Sequence, residues 1–102
     1  MGAHSDFIVI KCTKDELRKE FLNAQQQMEF EEGHNGYNGT LSTCSGLKFG
    51  TLPKDVEVTN TEQPYMNNDV CDFILDNTEK RDDAMAIEIT DGVWLIGGWA
   101  AS

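Results

Sequence analysis

Residues 84–99 read Ala84-Met-Ala-Ile-Glu-Ile-Thr90, Asp91-Gly92 and Val93-Trp-Leu-Ile-Gly-Gly-Trp99. An Asp-Gly pair between two apolar runs is the signature of a two-residue type I′ turn, which closes a β-hairpin. The chain is therefore predicted to end in two antiparallel strands. Trp94 and Trp99 are five positions apart, so we expect them on opposite faces of the second strand, with Gly97-Gly98 marking a bulge between them.

The first third of the chain predicts a strand followed by a helix. Phe7-Ile-Val-Ile-Lys-Cys12 is a short apolar run rich in β-branched residues, which is typical of a central strand buried on both faces. Thr13 and Glu16 have the spacing of a capping box, which predicts a helix that runs to about Glu32. The apolar positions of this helix share one face at helical spacing, namely Leu17, Phe21, Ala24 and Met28.

The middle of the chain predicts shorter elements. They are strands over 40–44 and 47–51 around a Ser45-Gly46 turn, an edge strand over 56–58, and a helix that Asn67 or Asn68 caps and that runs to about Lys80. The order predicts one α+β domain over residues 1–102, with a mainly antiparallel sheet and both helices on one face. A ferredoxin-like variant with an added strand is one instance of this architecture.

The charge of the chain lies almost entirely in its second half. The 102 residues include 18 acidic and 8 basic ones, a net charge of −10, and mean hydropathy is −0.45. Through Lys54 seven acidic residues face six basic ones, whereas from Asp55 onward eleven acidic residues face only Lys80 and Arg81. Such a field repels nucleic acid and anionic lipid and steers cationic partners toward one side. We therefore expect neither direct nucleic-acid binding nor membrane binding, and a protein partner with a basic surface.

The acidic half of the chain has two functional interpretations, and both concern residues that would contact a partner. Four acidic residues are spaced three, four and three positions apart, so they are expected on one helical face: Asp69, Asp72, Asp76 and Glu79. This face predicts a docking surface for a basic protein or a mimic of nucleic-acid phosphates; ordinary solubilising charge is the alternative. The predicted partner-binding residues are Asp69, Asp72, Asp76, Glu79, Asp82, Asp83 and Trp99, the last of which would serve as an anchor or a dimer contact if it is exposed.

A second hypothesis rests on the loop Gly33-His-Asn-Gly-Tyr-Asn-Gly-Thr40. Glycines free its backbone amides, and polar tips of this kind hold small anions and peptides, so the predicted ligand-binding residues are His34, Asn35, Tyr37 and Asn38. The glycines follow a helix and no lysine occurs before Lys48, so the loop is not a P-loop. A helix C-cap followed by tight turns explains the same residues without a ligand.

Chemical signatures are weak throughout the chain. Cys44 lies ten residues after His34, but a small buried side chain in a strand explains it better than a thiolate–imidazole pair. The three cysteines form neither a disulfide framework nor a metal motif, which favours reduced thiols in the cytoplasm. No apolar run is long enough to span a membrane. We predict no catalytic residue, no metal and no cofactor, and favour a role other than catalysis.

Two glycine-rich stretches resemble small, uncharacterised acidic proteins of tailed phages and their hosts. They are the helix end Glu31-Glu32-Gly33-His34 with the following Gly36-Tyr37-Asn38-Gly39-Thr40, and the terminal Trp-Leu-Ile-Gly-Gly-Trp. The resemblance carries over no catalytic residue and implies an inhibitor or modulator of a host protein. The first hypothesis is therefore an acidic, phage-encoded modulator of a basic or nucleic-acid-binding host protein in the host cytoplasm. The alternatives are a small-molecule or nucleotide-binding protein or enzyme built on the 33–40 loop, and an assembly protein that forms a homodimer or a larger homo-oligomer.

Overall fold

A computed structural model describes residues 3–32, 40–79 and 82–101 of the chain. Its elements are β1 (Ala3–Lys11), α1 (Lys14–Glu32), β2 (Leu47–Phe49), α2 (Asn68–Asp76), β3 (Ala84–Thr90) and β4 (Val93–Ala101), with short 3₁₀ turns over Leu41–Thr43 and Pro64–Met66. The strands form one sheet in the order β1-β4-β3-β2, in which only β2 and β3 are parallel. The predicted α+β class, with a mainly antiparallel sheet, two helices and a C-terminal hairpin, is confirmed.

The hairpin forms at the predicted position. Gly92 has a φ of +76°, a backbone conformation that glycine adopts without steric cost. The pairing of β3 with β4 shifts by one residue between Glu88 and Thr90, so the irregularity lies beside the turn. The predicted bulge at Gly97-Gly98 is wrong, because β4 pairs with β1 in unbroken register through both glycines.

Strand β1 lies at the edge of the sheet, so its predicted central position is wrong. Its neighbour is β4, and Phe7 to Ile10 are only half-buried, whereas Trp94 to Gly98 of β4 are buried. A β-branched apolar run occurs in central strands and also in edge strands that are covered on both faces. Such a run therefore does not show whether β1 is central or at the edge.

The helices lie on opposite faces of the sheet, which corrects the prediction that both share one face. Leu17 and Phe21 of α1 pack with Ala86, Trp94 and Ile96. The intervening residues of the same strands point the other way, where α2 covers them with a second cluster that includes Val70, Ile74, Met85, Ile87 and Leu95. Because β3 and β4 are apolar on both faces, each face requires its own cover. The ferredoxin-like variant is also wrong, since β2 and β3 are parallel neighbours joined through α2.

Helix α1 begins and ends where the sequence predicts. The cap differs in detail, because the Thr13 hydroxyl donates to the Glu16 carboxylate at 3.0 Å. Leu17 and Phe21 are buried, while Met28 is partly buried against the same cluster. No described helix is long and apolar enough to cross a membrane.

The segment between the helices differs most from the prediction. Residues 40–44 form a 3₁₀ turn instead of a strand, because the Thr40 side chain accepts from the Ser42 amide and Gln25 of α1 donates to the Leu41 and Cys44 carbonyls. The strand after it, β2, pairs in parallel with β3 and makes no hairpin. Residues 56–58 are not a strand; Val56 and Val58 instead pack against the cluster under α2.

Candidate functional site

A shallow acidic groove lies beside α2. The helix has nine residues, and its buried Val70 and Ile74 fix its rotation against the sheet. Positions three and four residues apart share a helical face, so Asp69, Asp72 and Asp76 project together on the exposed side. The groove has a volume of about 390 Å³ and is lined by Pro53, Asp55, Val56, Asp69, Asp72, Phe73 and Asp76. We call these seven residues the acidic groove.

The carboxylates of the acidic groove are not neutralised within the described chain. Asp55, Asp69, Asp72 and Asp76 are exposed, and none forms an ion pair or a side-chain hydrogen bond with another residue. Their charges are therefore turned toward solvent and available to a cationic partner. Among residues 3–32, 40–79 and 82–101, no group of three or more histidine, cysteine or acidic side chains could hold a metal ion.

The apolar residues of the groove were not predicted as part of a site. Phe73 is half-buried, and Val56 and Pro53 come from the irregular segment that runs beside the helix. This segment follows α2 because Val56 packs into the cluster beneath the helix. The spacing of Val56 and Val58 indicates that the segment is partly buried, but it does not indicate which element the segment borders.

Glu79, Asp82 and Asp83 do not continue the helical face. Helix α2 ends at Asp76, where the Asn77 amide and the Thr78 hydroxyl both donate to the Ile74 carbonyl. The predicted run to Lys80 is therefore too long, and Glu79 lies beyond the helix. Asp82 forms a 3.5 Å ion pair with Lys48, and Asp83 accepts from the Ser45 hydroxyl at 2.9 Å. These two carboxylates connect the starts of β2 and β3.

The two tryptophans lie on opposite faces of β4, as predicted. Trp94 is buried on the α1 side, and its indole N–H donates to the Cys12 carbonyl at 3.1 Å. Trp99 is half-buried, and its indole N–H donates to the Leu75 carbonyl of α2 at 3.1 Å. This bond ties the Trp99 indole to α2, and Trp99 is not among the residues that line the acidic groove.

The loop hypothesis cannot be placed on the structure. His34, Asn35, Tyr37 and Asn38 lie outside the described residues. Cys44, the cysteine weighed as a partner of His34, is buried, and its thiol lies 3.9 Å from the Trp99 carbonyl oxygen. Burial, together with the nearby carboxylates of Asp6, Asp82 and Asp83, raises the pKa of Cys44 to about 11. The thiol therefore stays protonated at neutral pH, the opposite of an activated nucleophile.

No protein-family model, no curated protein and no solved structure matches this chain. The acidic groove thus combines four carboxylates with the apolar Pro53, Val56 and Phe73, on the face of the sheet that α2 covers.

Proposed function

We propose that the protein is a non-enzymatic modulator that binds the basic surface of another protein through the acidic groove. The observation that carries the proposal is the set of four exposed carboxylates, unpaired within the described chain, in a groove that Phe73 and Val56 also line. The host-protein target and the phage origin suggested by the sequence resemblance belong to the same proposal.

The mixed lining of the groove supports a protein partner. Lysine and arginine side chains lay their aliphatic stems on apolar surface while their charged heads meet carboxylates. A groove with apolar and acidic residues side by side satisfies both parts of such a side chain. A partner surface that normally contacts nucleic acid fits well, because it presents several such side chains to accept a row of negative charges. The acidic groove would then occupy that surface in place of nucleic acid.

The first experiment compares two triple variants in affinity purification from host cells, with mass spectrometry. The groove variant carries Asp55→Lys, Asp72→Lys and Asp76→Lys; the control variant carries Asp15→Lys, Glu31→Lys and Glu62→Lys at exposed positions away from the groove. Both change the net charge by +6, since each substitution replaces −1 by +1. We expect the wild type and the control to retain one common basic partner and the groove variant to lose it.

The second experiment measures association with the purified partner at two salt concentrations. Reversing the groove charges should slow association at low salt by about tenfold or more, because the steering field is reversed. The difference should shrink in 1 M salt, where screening acts over about 3 Å. Loss of binding by the control variant to the same extent would contradict a specific groove. If replacing His34, Tyr37 and Asn38 with Ala abolished binding while the groove variant bound normally, the function would instead lie in the 33–40 loop.

A further inference from the structure

No described strand pairs with the second half of β3 on the side of β2. Strand β2 has three residues and β3 has seven. The Ala84 amide donates to the Gly46 carbonyl at 2.9 Å, and the Ala86 carbonyl accepts from the Gly50 amide at 2.9 Å. Every second residue of a strand directs its backbone polar groups to the same edge. The backbone N–H and C=O of Glu88 therefore point to this edge, where no described residue bonds to them.

A cleft lies where β2 leaves the sheet. It has a volume of about 320 Å³ and is lined by Lys14, Phe49, Gly50, Thr51, Leu52, Ile87, Glu88 and Trp94. Leu52 packs into the cluster under α2, so the chain after Gly50 turns toward that face and away from the β3 edge. We call this cleft the edge notch. It borders Glu88 of β3 and residues 49–52, where the chain leaves the sheet after β2.

The walls of the edge notch combine apolar and charged groups. The rings of Phe49 and Trp94 meet edge to face, with centroids 5.7 Å apart, and the Lys14 ammonium lies 5.1 Å from the centre of the Phe49 ring. Neither Lys14 nor Glu88 forms an ion pair within the described chain. Both also border a second cleft of about 520 Å³ that reaches Gly92. The two clefts share Lys14 and Glu88, and the second one is otherwise lined by the end of β1, the start of α1 and the hairpin turn.

We propose that the edge notch binds an extended peptide segment of a protein partner, which adds a strand to β3. The peptide would exchange hydrogen bonds with the Glu88 backbone and place an apolar side chain against Phe49 and Trp94. An exposed strand edge is a template for such addition: backbone bonds supply affinity and side-chain pockets supply specificity. The site is independent of the acidic groove, so either proposal can fail without the other. A second copy of this chain is a poorer occupant, because each copy carries a charge of −10.

To test the proposal, the full chain is titrated with capped pentapeptides of the form Thr-Thr-X-Thr-Thr, where X is Phe, Leu, Lys, Glu or Gly. Binding of each peptide is measured by NMR. We expect the Phe and Leu peptides to bind at least about tenfold more tightly than the Gly peptide, because their side chains remove apolar surface from water on binding. The Glu88 amide should exchange quickly in the free protein and at least about tenfold more slowly when the peptide is bound.

Two N-methylated forms of the tighter peptide test strand pairing on the wild-type protein. One is methylated at the central residue and the other at the two flanking threonines; because alternate amides face opposite edges, one form should lose binding and the other should keep it. Thr51→Trp should fill the notch and weaken binding about tenfold or more, whereas Thr61→Trp, at another exposed site, should not. The proposal is overturned if no peptide slows Glu88 exchange, if both N-methylated forms bind equally well, or if Glu88 becomes protected at high protein concentration alone, which would indicate a second copy.

Discussion

At the scale of single residues, one glycine of β4 packs directly against an aromatic ring of β1. Gly97 of β4 pairs with Phe7 of β1, and the Phe7 ring occupies the space that a Cβ atom at position 97 would take. The neighbouring Gly98 is different, because a Cβ there would meet Ala84 Cα and the Thr78 side chain at ordinary distances of 3.6 to 3.8 Å. Two adjacent glycines therefore have different structural roles.

We expect Gly97→Ala to destabilise the protein by about 1–3 kcal/mol, because the ring must move from its packed position. Gly98→Ala is the matched control and should change the free energy of unfolding by about 0.5 kcal/mol or less. Urea denaturation measures both. Adding Phe7→Leu to Gly97→Ala should cost less than the two single changes together, since they share one contact. Equal effects of the two alanine variants would contradict the assignment of the contact.

The raised pKa of Cys44 couples stability to alkaline pH. The pKa of about 11 lies above the ordinary value of 9.0, mainly because the thiol is buried. The folded state therefore holds its proton more tightly than the unfolded state. The resulting stabilisation is fully present below pH 9 and is lost as pH rises toward 11.

We expect the free energy of unfolding to fall between pH 9 and 11 more steeply in the wild type than in Cys44→Ala, which has no thiol to ionise. Denaturation at several pH values measures the two slopes. At pH 8 the native Cys44 should also react with iodoacetamide about 100-fold more slowly than the unfolded chain, in line with its lower thiolate fraction. Parallel pH profiles of the two proteins would show that Cys44 does not couple folding to pH.

At the scale of elements, Asn67 holds the irregular segment against α2. It occupies the N-cap position of the helix, but its buried side chain bonds backward along the chain. Its amide oxygen accepts from the Thr59 amide, the Asn60 amide and the Thr59 hydroxyl, at 2.7, 2.8 and 3.1 Å. Its amide nitrogen donates to the carbonyls of Asn60 and Pro64 at 2.6 and 2.8 Å. A segment without regular structure therefore keeps one conformation.

Asn67→Ala should lower the free energy of unfolding by about 2–4 kcal/mol, because several partly buried backbone groups lose their hydrogen-bond partner at once. The exposed neighbour Asn68 provides the control, and Asn68→Ala should cost about 0.5 kcal/mol or less. Thermal or urea unfolding measures both. If the two variants were equally stable, Asn67 would not be the residue that orders the segment.

At the scale of the whole molecule, the nine-residue strand β1 has no partner strand at its outer edge among residues 3–32, 40–79 and 82–101. The Cys12 amide donates to the Gly92 carbonyl at 3.0 Å, so the even-numbered residues of β1 direct their amides to β4. The amides of Phe7 and Val9 point outward, where no described residue accepts from them. We expect these two amides to exchange about 100-fold faster than those of Ile8 and Ile10. Equal protection of all four, with a dimeric mass in light scattering, would show that a second copy pairs with this edge.

The two helices, on opposite faces of the sheet, carry different mixtures of charged residues. Helix α1 carries Lys14 and Arg18, and both cations lie 5.1 Å from the centre of the Phe49 ring on its face of the sheet. Helix α2 carries the aspartates of the acidic groove on the other face. Helix α1 has three basic and six acidic residues and α2 has three aspartates and no basic residue, so both carry a net charge of −3 and the two faces differ in the presence of cations rather than in net charge.

The sequence by itself determined the elements whose signals are local. The hairpin at Asp91-Gly92 follows from turn chemistry, α1 follows from helical spacing, and the shared face of Asp69, Asp72 and Asp76 follows from the helical repeat. These features depend on residues a few positions apart, so a short stretch of sequence contains what is needed to predict them.

Only the tertiary structure decided the features that depend on distant partners. The edge position of β1, the parallel pairing of β2 and the opposite faces of the helices all depend on which apolar surfaces meet. The 3₁₀ turn over Leu41–Thr43 likewise depends on Gln25, sixteen residues from Leu41. Apolar burial is non-directional, so the pattern shows which side chains are buried but not against what. The acidic groove and the edge notch lie where such distant segments meet, so neither could be predicted from the sequence in full.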